Sequence, residues 1–264
     1  MKLKRIDNNN AFDFGRTAEN YAKFRDIYPG SMYDRLIGYG IGKEGQHILD
    51  LGSGTAVLPI NLYRTGADFT ATDIAENQVA YGKKLAAEKD MDRIAFKVCR
   101  AEDTGFADDS FDAVTAVQCF PYFDAEKAAA EIYRVLRPHG LFGKLLMDWL
   151  PKEDTVIAEM IETVRRYNPA WSEKGFSENE YRFPDWAKDR FTSQAVLSYD
   201  ETLTFTKEAW LGRVLTCRGV SASLPPDKVA RFEEEYRGIL QKYDEPLLLK
   251  HRIHIELYRS IKEK

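Results

Sequence analysis

The chain has 264 residues, 44% of them hydrophobic and 30% charged. That is the profile of an ordinary soluble globular protein with enough length for a sizeable core. A formal net charge of −4 and a pI of about 5.7 argue against a nonspecific nucleic-acid binder, which needs a basic excess to neutralise phosphates. Cys99, Cys119 and Cys217 are scattered and form no CxxC pair, which argues against a structural zinc site or a disulfide scaffold and fits a reducing cytosol. The first residues (MKLKRIDNNNAFDF) carry basic groups with no apolar h-region behind them, and no uncharged apolar run approaches a membrane span. The expected setting is cytoplasmic, with no membrane partner.

Segment 18–38 carries aromatic and aliphatic residues at helical spacing, broken at Tyr28-Pro29-Gly30, and reads as two short helices. A short apolar strand follows at 47–51, then Gly52-Ser53-Gly54 and a helix from about Thr55. Segment 68–73 reads as a second strand and 75–89 as a helix; 93–99 and 111–116 read as strands. A helix at 125–136 is expected to stop at Pro138 and Gly140, before a strand at 141–147. Strand–helix alternation with buried, non-alternating strands marks a parallel sheet covered by helices on both faces. Segment 151–190 breaks the pattern with helical stretches and an aromatic-rich run at 171–186, read as a cap. A strand at 194–205, helices near 207–217 and 227–243, and a last strand at 247–258 that closes the sheet complete the chain.

The chemistry begins at Leu49-Asp50-Leu51-Gly52-Ser53-Gly54-Thr55. Two glycines between a strand and a helix permit a tight turn and close approach of a ligand to the main chain. By itself the pattern also fits a plain strand-to-helix turn. Asp73, at the end of the second strand, is placed to accept hydrogen bonds from both hydroxyls of a ribose. A dinucleotide site wants a third glycine where Val57 stands, and Asp50 would repel a pyrophosphate but suit the ammonium of a methionine moiety. Both features favour S-adenosylmethionine (SAM) over a nicotinamide cofactor.

These residues resemble a known family. Segment 47–55 (HILDLGSGT) is similar to the first motif of class I SAM-dependent methyltransferases, and 71–73 (ATD) to the second. Segments 100–106 (RAEDTGF) and 109–114 (DSFDAV) resemble a further stretch of these enzymes, and 131–140 (EIYRVLRPHG) a fourth. The likeness is strong over about 15–150, and four motifs in order make it specific. Segments 116–124 (AVQCFPYFD) and 216–225 (TCRGVSASLP) resemble the trans-aconitate-methyltransferase-like branch, with Pro121 for the usual His and Tyr122 for the usual Trp.

The resemblance implies a Rossmann-like, doubly wound, mostly parallel α/β sheet, the class I methyltransferase fold, with a helical N-terminal lid and a cap inserted after the fifth strand. One methyltransferase domain would span 1–264, its core about 40–150 and 191–264, its lid about 15–39 and its cap about 151–190. Gly52, Ser53 and Gly54 would line the methionine tail, with Asp50 near its amino group. Asp73 would hold the ribose, Ile74 would pack on the adenine, and Ala101 and Glu102 would meet its edge. Gln118 would lie beside the sulfonium. Tyr21 and Arg25 match a pair that closes over the cofactor, with Arg25 facing the methionine carboxylate; a helix-surface pair is the plain alternative.

Tyr122, Trp149, Trp171, Tyr181, Arg182 and Trp186 are candidate walls of an acceptor pocket, and ordinary packing explains each aromatic equally well. The acceptor is expected to be a small molecule, with no nucleic acid and no metal involved, and the protein a monomer or homodimer. The product would be S-adenosylhomocysteine. His251 and His254 sit three apart on a strand, face opposite sides and read as structural. No residue stands out as a catalytic base. The rival readings are a catalytically silent SAM-binding module and a nicotinamide-dependent oxidoreductase.

Overall fold

The computed structural model describes residues 6–172 and 181–263. The helices are α1 (Ala18–Phe24), α2 (Gly30–Gly38), α3 (Val57–Leu62), α4 (Glu76–Glu88), α5 (Ala125–Val135), α6 (Thr155–Tyr167), α7 (Lys207–Leu215) and α8 (Pro226–Leu240). The strands are β1 (His47–Leu51), β2 (Asp68–Asp73), β3 (Ile94–Val98), β4 (Phe111–Val117), β5 (Leu136–Trp149), β6 (Phe191–Phe205) and β7 (Leu247–Ser260). Among the described residues no helix is long and apolar enough to cross a membrane.

Seven strands form one sheet in the order β3-β2-β1-β4-β5-β7-β6. The pairings from β3 through β5 are parallel. The chain winds from β1 toward β3, then returns to add β4 on the other side of β1. That reversal makes β1 and β4 a topological switch point, where open α/β sheets hold ligands at the carboxyl ends of the strands. The expected Rossmann-like, doubly wound architecture is the observed one.

Two expectations need correction. The last strand does not close the sheet: β7 lies between β5 and β6, and β6 takes the end of the order. Nor do Pro138 and Gly140 delay the fifth strand, because α5 stops at Val135 and β5 starts at Leu136. The register slips between the Phe111 and Ala113 pairs, an irregularity that accommodates a proline lacking an N–H. His139 takes a left-handed φ of +61° there, and a Cβ on Gly140 would meet the carbonyl oxygens of Arg137 and Asp112 at 3.0 and 3.1 Å.

The chain divides into two compact units. A sheet unit holds 28–147, 178–199 and 253–264, and a helical unit holds 1–27, 148–177 and 200–252. Both the expected lid and the expected cap contribute to each. The core of the sheet unit gathers Leu49, Val114, Ile132, Phe142 and Tyr258. Helices α6, α7 and α8 give the helical unit a core of its own, including Ile157, Met160, Trp210, Phe232 and Tyr236. Within it the Trp210 indole N–H donates to the Tyr236 hydroxyl at 2.8 Å.

Candidate cofactor site

Strand β1 is buried from Ile48 to Leu51, so its apolar side chains lock it centrally and deliver the glycine turn to the switch point. Gly52 has φ +59°, and a Cβ there would lie 2.7 Å from the Cβ of Cys119. Only glycine fits that turn against the end of β4 without strain. The backbone N–H of Ser53 donates to the Thr72 carbonyl at 2.8 Å, tying the turn to β2. Helix α3 begins at Val57, later than the expected Thr55, because Ala56 takes a left-handed φ of +64°. Gly82 lets α4 approach: a Cβ there would lie 3.3 Å from the Thr55 carbonyl carbon.

Asp50 lies under this turn and is 3% exposed. Its carboxylate accepts from the Ser53 hydroxyl at 2.5 Å and from the Thr115 hydroxyl at 2.6 Å. Burial raises its pKa to about 6, against the lowering effect of those two hydrogen bonds. A cation placed beside it would hold it ionised.

Asp73 accepts from the Gly54 N–H at 3.0 Å through Oδ2 and from the Ala75 N–H at 2.8 Å through Oδ1. It therefore braces the glycine turn and the approach to α4 together. A carboxylate has about four lone-pair sites, so capacity remains for two ribose hydroxyls. Burial pushes its pKa up, and hydroxyl donors would offset that. Ile74 is 48% exposed, and so is Val98, which pairs with Asp73 in the β2–β3 register. Two exposed apolar side chains beside the Asp73 carboxylate form a surface that could take a flat heterocycle. Val98 escapes a reading of the sequence because it belongs to no motif; its place at a parallel strand end is the available signal.

Ala101 is buried. Glu102 accepts from the Asp124 N–H at 2.9 Å and pairs with Arg100 at 3.3 Å, fixing the loop on both sides. The firmest anchor of segment 100–106 is Glu131, to which sequence reasoning gives no role. Its Oε1 accepts from the Thr104 N–H at 2.8 Å and the Thr104 hydroxyl at 2.5 Å. Arg134 donates to both Glu131 oxygens, at 2.8 and 2.7 Å. The Glu-x-x-Arg spacing on α5 is legible as an ion pair, but its loop partner is not.

Gln118 lies just past β4 with φ +62°. Its side-chain amide donates to the Met147 carbonyl at 2.5 Å, which fastens the end of β4 to β5. The Cys119 thiol donates to the Leu51 carbonyl at 3.0 Å, and burial pushes its pKa well up, so it is not a thiolate.

Tyr21 and Arg25 belong to the helical unit, and the Arg25 guanidinium lies 4.7 Å from the centroid of the Tyr21 ring. The structure brings these two together as a stacked pair one turn apart.

The acceptor-pocket candidates fall in both units. In the sheet unit, Trp186 packs 5.0 Å from Phe120 and 5.1 Å from Tyr258. The Tyr181 hydroxyl is 3.5 Å from that of Tyr258, Tyr122 is half-buried, and Arg182 is exposed. In the helical unit, Trp171 is buried against Gly219, where a Cβ would lie 2.8 Å from its ring, and it works as core. Trp149 is half-buried there. Phe176, part of the aromatic run, lies outside the described residues. His254 pairs with Glu256 at 2.9 Å, and His251 bonds the Leu249 carbonyl at 3.0 Å, so both have structural contacts.

Residues 49–143 match the family model described as "Methyltransferase domain". Fold and match agree on the class: the sheet has the class I methyltransferase fold, and the segment that runs from its first strand into its fifth is similar to a methyltransferase domain. Over 158 residues the chain is 28% identical to the uncharacterized methyltransferase YcgJ of Bacillus subtilis, covering 60% of this chain and 62% of that protein. It is 32% identical over 148 residues to the ubiquinone/menaquinone biosynthesis C-methyltransferase UbiE of Paracoccus denitrificans, covering 52% of this chain and 58% of that one. These matches span about six-tenths of each relative's length. The crystal structure of the Bacillus subtilis YcgJ protein superposes with a TM-score of 0.52 at 20% identity, over 89% of this chain and 98% of that one. A chain from the structure of the conversion of a disulfide bond into a thioacetal group during echinomycin biosynthesis gives a TM-score of 0.55 at 15% identity, over 87% of this chain and 81% of that one.

Proposed function

We propose that this protein transfers a methyl group from SAM to a small-molecule acceptor and releases S-adenosylhomocysteine. The observation that carries the reading is Asp50 and Asp73 on either side of the Gly52 turn, one buried under it and one bracing it with acceptor capacity to spare. Gly52, Ser53 and Gly54 line the methionine tail, and Asp50 faces its ammonium. Asp73 holds the ribose, Ile74 and Val98 flank the adenine, and Ala101 and Glu102 meet its edge. A buried carboxylate under the turn disfavours a pyrophosphate, which sets the nicotinamide reading aside.

When bound, SAM supplies an electrophilic methyl group on a sulfonium, and the departing thioether is neutral and needs no acid. The protein's share is to align the acceptor and to exclude water. Gln118 and Cys119 fix the end of β4 where the acceptor meets the methyl. Two polar side chains of the nearby sheet are poor bases. Burial raises the Tyr258 pKa far above the usual phenol value. Burial alone would raise Glu256, but His254, Lys144 and Tyr258 hold it at about 2. The favoured acceptor is therefore one that needs no deprotonation by the protein, such as a carboxylate or another group with a ready lone pair. The likeness of 116–124 to the trans-aconitate-methyltransferase-like branch supports a small, partly apolar, anionic acceptor, and Trp186 and Tyr181 supply aromatic walls in the sheet unit.

Isothermal titration of the purified chain with SAM, S-adenosylhomocysteine and NAD tests the cofactor. Saturable binding of the first two is expected; binding of NAD with neither of them would overturn the reading. Screening a small-molecule panel for S-adenosylhomocysteine release then tests the activity.

A further inference from the structure

We infer that the outer edge of β6 over 191–199 pairs two copies of this chain, strand to strand, about a twofold axis near Ala195. The sheet ends in β3 on one side and in β6 on the other. An edge strand presents a row of N–H and C=O groups without strand partners, and soluble proteins blunt such edges with short strands, lysines, prolines or bulges. The β3 edge follows that rule: it runs only from Ile94 to Val98 and includes Lys97. The β6 edge does not. It runs for 15 residues, Phe191–Phe205, and its first nine, FTSQAVLSY, hold no charged residue and no proline. In a chain that is 30% charged, an uncharged edge of that length is a template for another strand.

Successive residues of a strand point to opposite faces. Thr192, Ser193 and Gln194 are all exposed, Ala195, Val196 and Leu197 are all partly exposed, and Ser198 is exposed. Both faces beside this edge are therefore open enough for a second strand to approach. The stretch is held in place from within its own unit. Gln194 Oε1 accepts from Arg259 Nε of β7 at 2.9 Å, and the Arg35 guanidinium of α2 lies 3.9 Å from the centroid of the Tyr199 ring. Strand β7 is the inner neighbour, and among the described residues no strand lies beyond β6.

A second copy is the occupant that the charge pattern fits. Two antiparallel strands related by a twofold present the same patch to each other. With the axis at Ala195, Phe191 lies opposite Tyr199, Thr192 opposite Ser198, Ser193 opposite Leu197 and Gln194 opposite Val196. No charge meets a like charge over the nine residues, and Thr facing Ser is a favourable cross-strand pair. An axis between Asp200 and Glu201 would instead bring the carboxylates of the two copies face to face, so the pattern selects the first part of the strand. Nine residues a side is fewer than the roughly 20–30 of a standard interface, so the dimer is a weak one that fills as concentration rises. The pairing uses none of the residues assigned to SAM and does not depend on that reading.

Sedimentation velocity of the full chain over about 1 µM to 1 mM should show monomer passing to dimer and no larger species, because one closed twofold uses up the edge. Amide exchange within 191–199 should slow over the same range. Ala195→Lys sets two ammonium groups opposite each other and should weaken the dimer about fivefold or more, the cost of a like-charged cross-strand pair. An equimolar mixture of Ala195→Lys and Ala195→Glu chains should recover it. Thermal melts show whether the variants fold; if they do not, the concentration dependence of exchange in the parent chain decides. A chain that stays monomeric throughout, exchange in 191–199 that does not change with concentration, a dimer untouched by Ala195→Lys, or a mixture that stays monomeric would each overturn the proposal. A parallel SAM titration reports separately on the cofactor reading.

Discussion

Asp73 braces the glycine turn and, on the proposed reading, also holds the ribose. It takes two backbone N–H bonds, one from the glycine turn and one from the approach to α4. Asp73→Ala should weaken SAM binding by about 1.5–3 kcal/mol, the range for a lost hydrogen bond to a charged group, as read by titration calorimetry. Because the same side chain braces Gly54 and Ala75, the variant should also melt earlier, which a strand-end ribose ligand alone would not require. An unchanged dissociation constant would refute the ribose assignment.

Asp50 makes the site sensitive to pH. Its pKa rises from 3.8 to about 6 on folding, chiefly through burial. A raised folded-state pKa means that the protonated form is favoured, so this group's stabilising contribution is present below 3.8 and is lost as pH rises through about 6. On the proposed reading binding runs the other way, since an ammonium beside Asp50 would favour the ionised carboxylate. SAM affinity should fall as pH drops below about 6, and calorimetry should detect proton release on binding at that pH. Asp50→Asn should flatten the affinity profile; an unaltered profile would remove Asp50 from the ammonium site.

At the scale of elements, the loop at 100–106, proposed to meet the adenine, hangs from a helix. Glu131 on α5 accepts two bonds from Thr104 and pairs with Arg134. Glu131→Ala should leave the Thr104 N–H and hydroxyl buried and unpaired, a cost of about 1–3 kcal/mol. A lower melting temperature, faster amide exchange at Thr104 and weaker SAM binding are the expected readouts. Normal affinity in a folded variant would make the Glu131 network a scaffold with no bearing on the cofactor. Strand and helix identities up to β4 are legible because apolar runs and glycine turns are local signals. The start of β5 is not, because Pro138 reads locally as a stop while the register slip that admits it depends on β4.

For the whole molecule, the acidic balance bears on the acceptor. With a net charge of −4, the chain has no basic excess of the kind that drives nonspecific binding to duplex nucleic acid. A transfer assay should show turnover with a small acceptor and none with duplex DNA or tRNA; efficient methylation of either polymer would overturn the small-molecule reading. Deleting segment 151–190 is not a clean test of a cap. Ile157, Met160, Ile161 and Val164 of α6 are core residues of the helical unit, so the deletion would unmake that unit along with any lid. Trp186→Ala, which empties an aromatic contact with Phe120 and Tyr258, is the sharper lesion. It should lower transfer while SAM still binds, because its ring partners are not among the residues assigned to the cofactor.

By itself the sequence determined the doubly wound sheet, the glycine turn at its switch point, and the pairing of that turn with an acidic residue at the end of β2. Each of these is written in a short stretch: apolar runs of strand length, a turn that only glycine tolerates, a carboxylate at a strand terminus. Tertiary structure alone decided that β7 enters between β5 and β6 and leaves β6 at the edge, that Val98 joins Ile74 beside Asp73, and that Glu131 holds Thr104. These depend on contacts between residues far apart in the chain. Their energies come from burial and from hydrogen bonds completed across elements, and no local pattern encodes which distant partner will complete them.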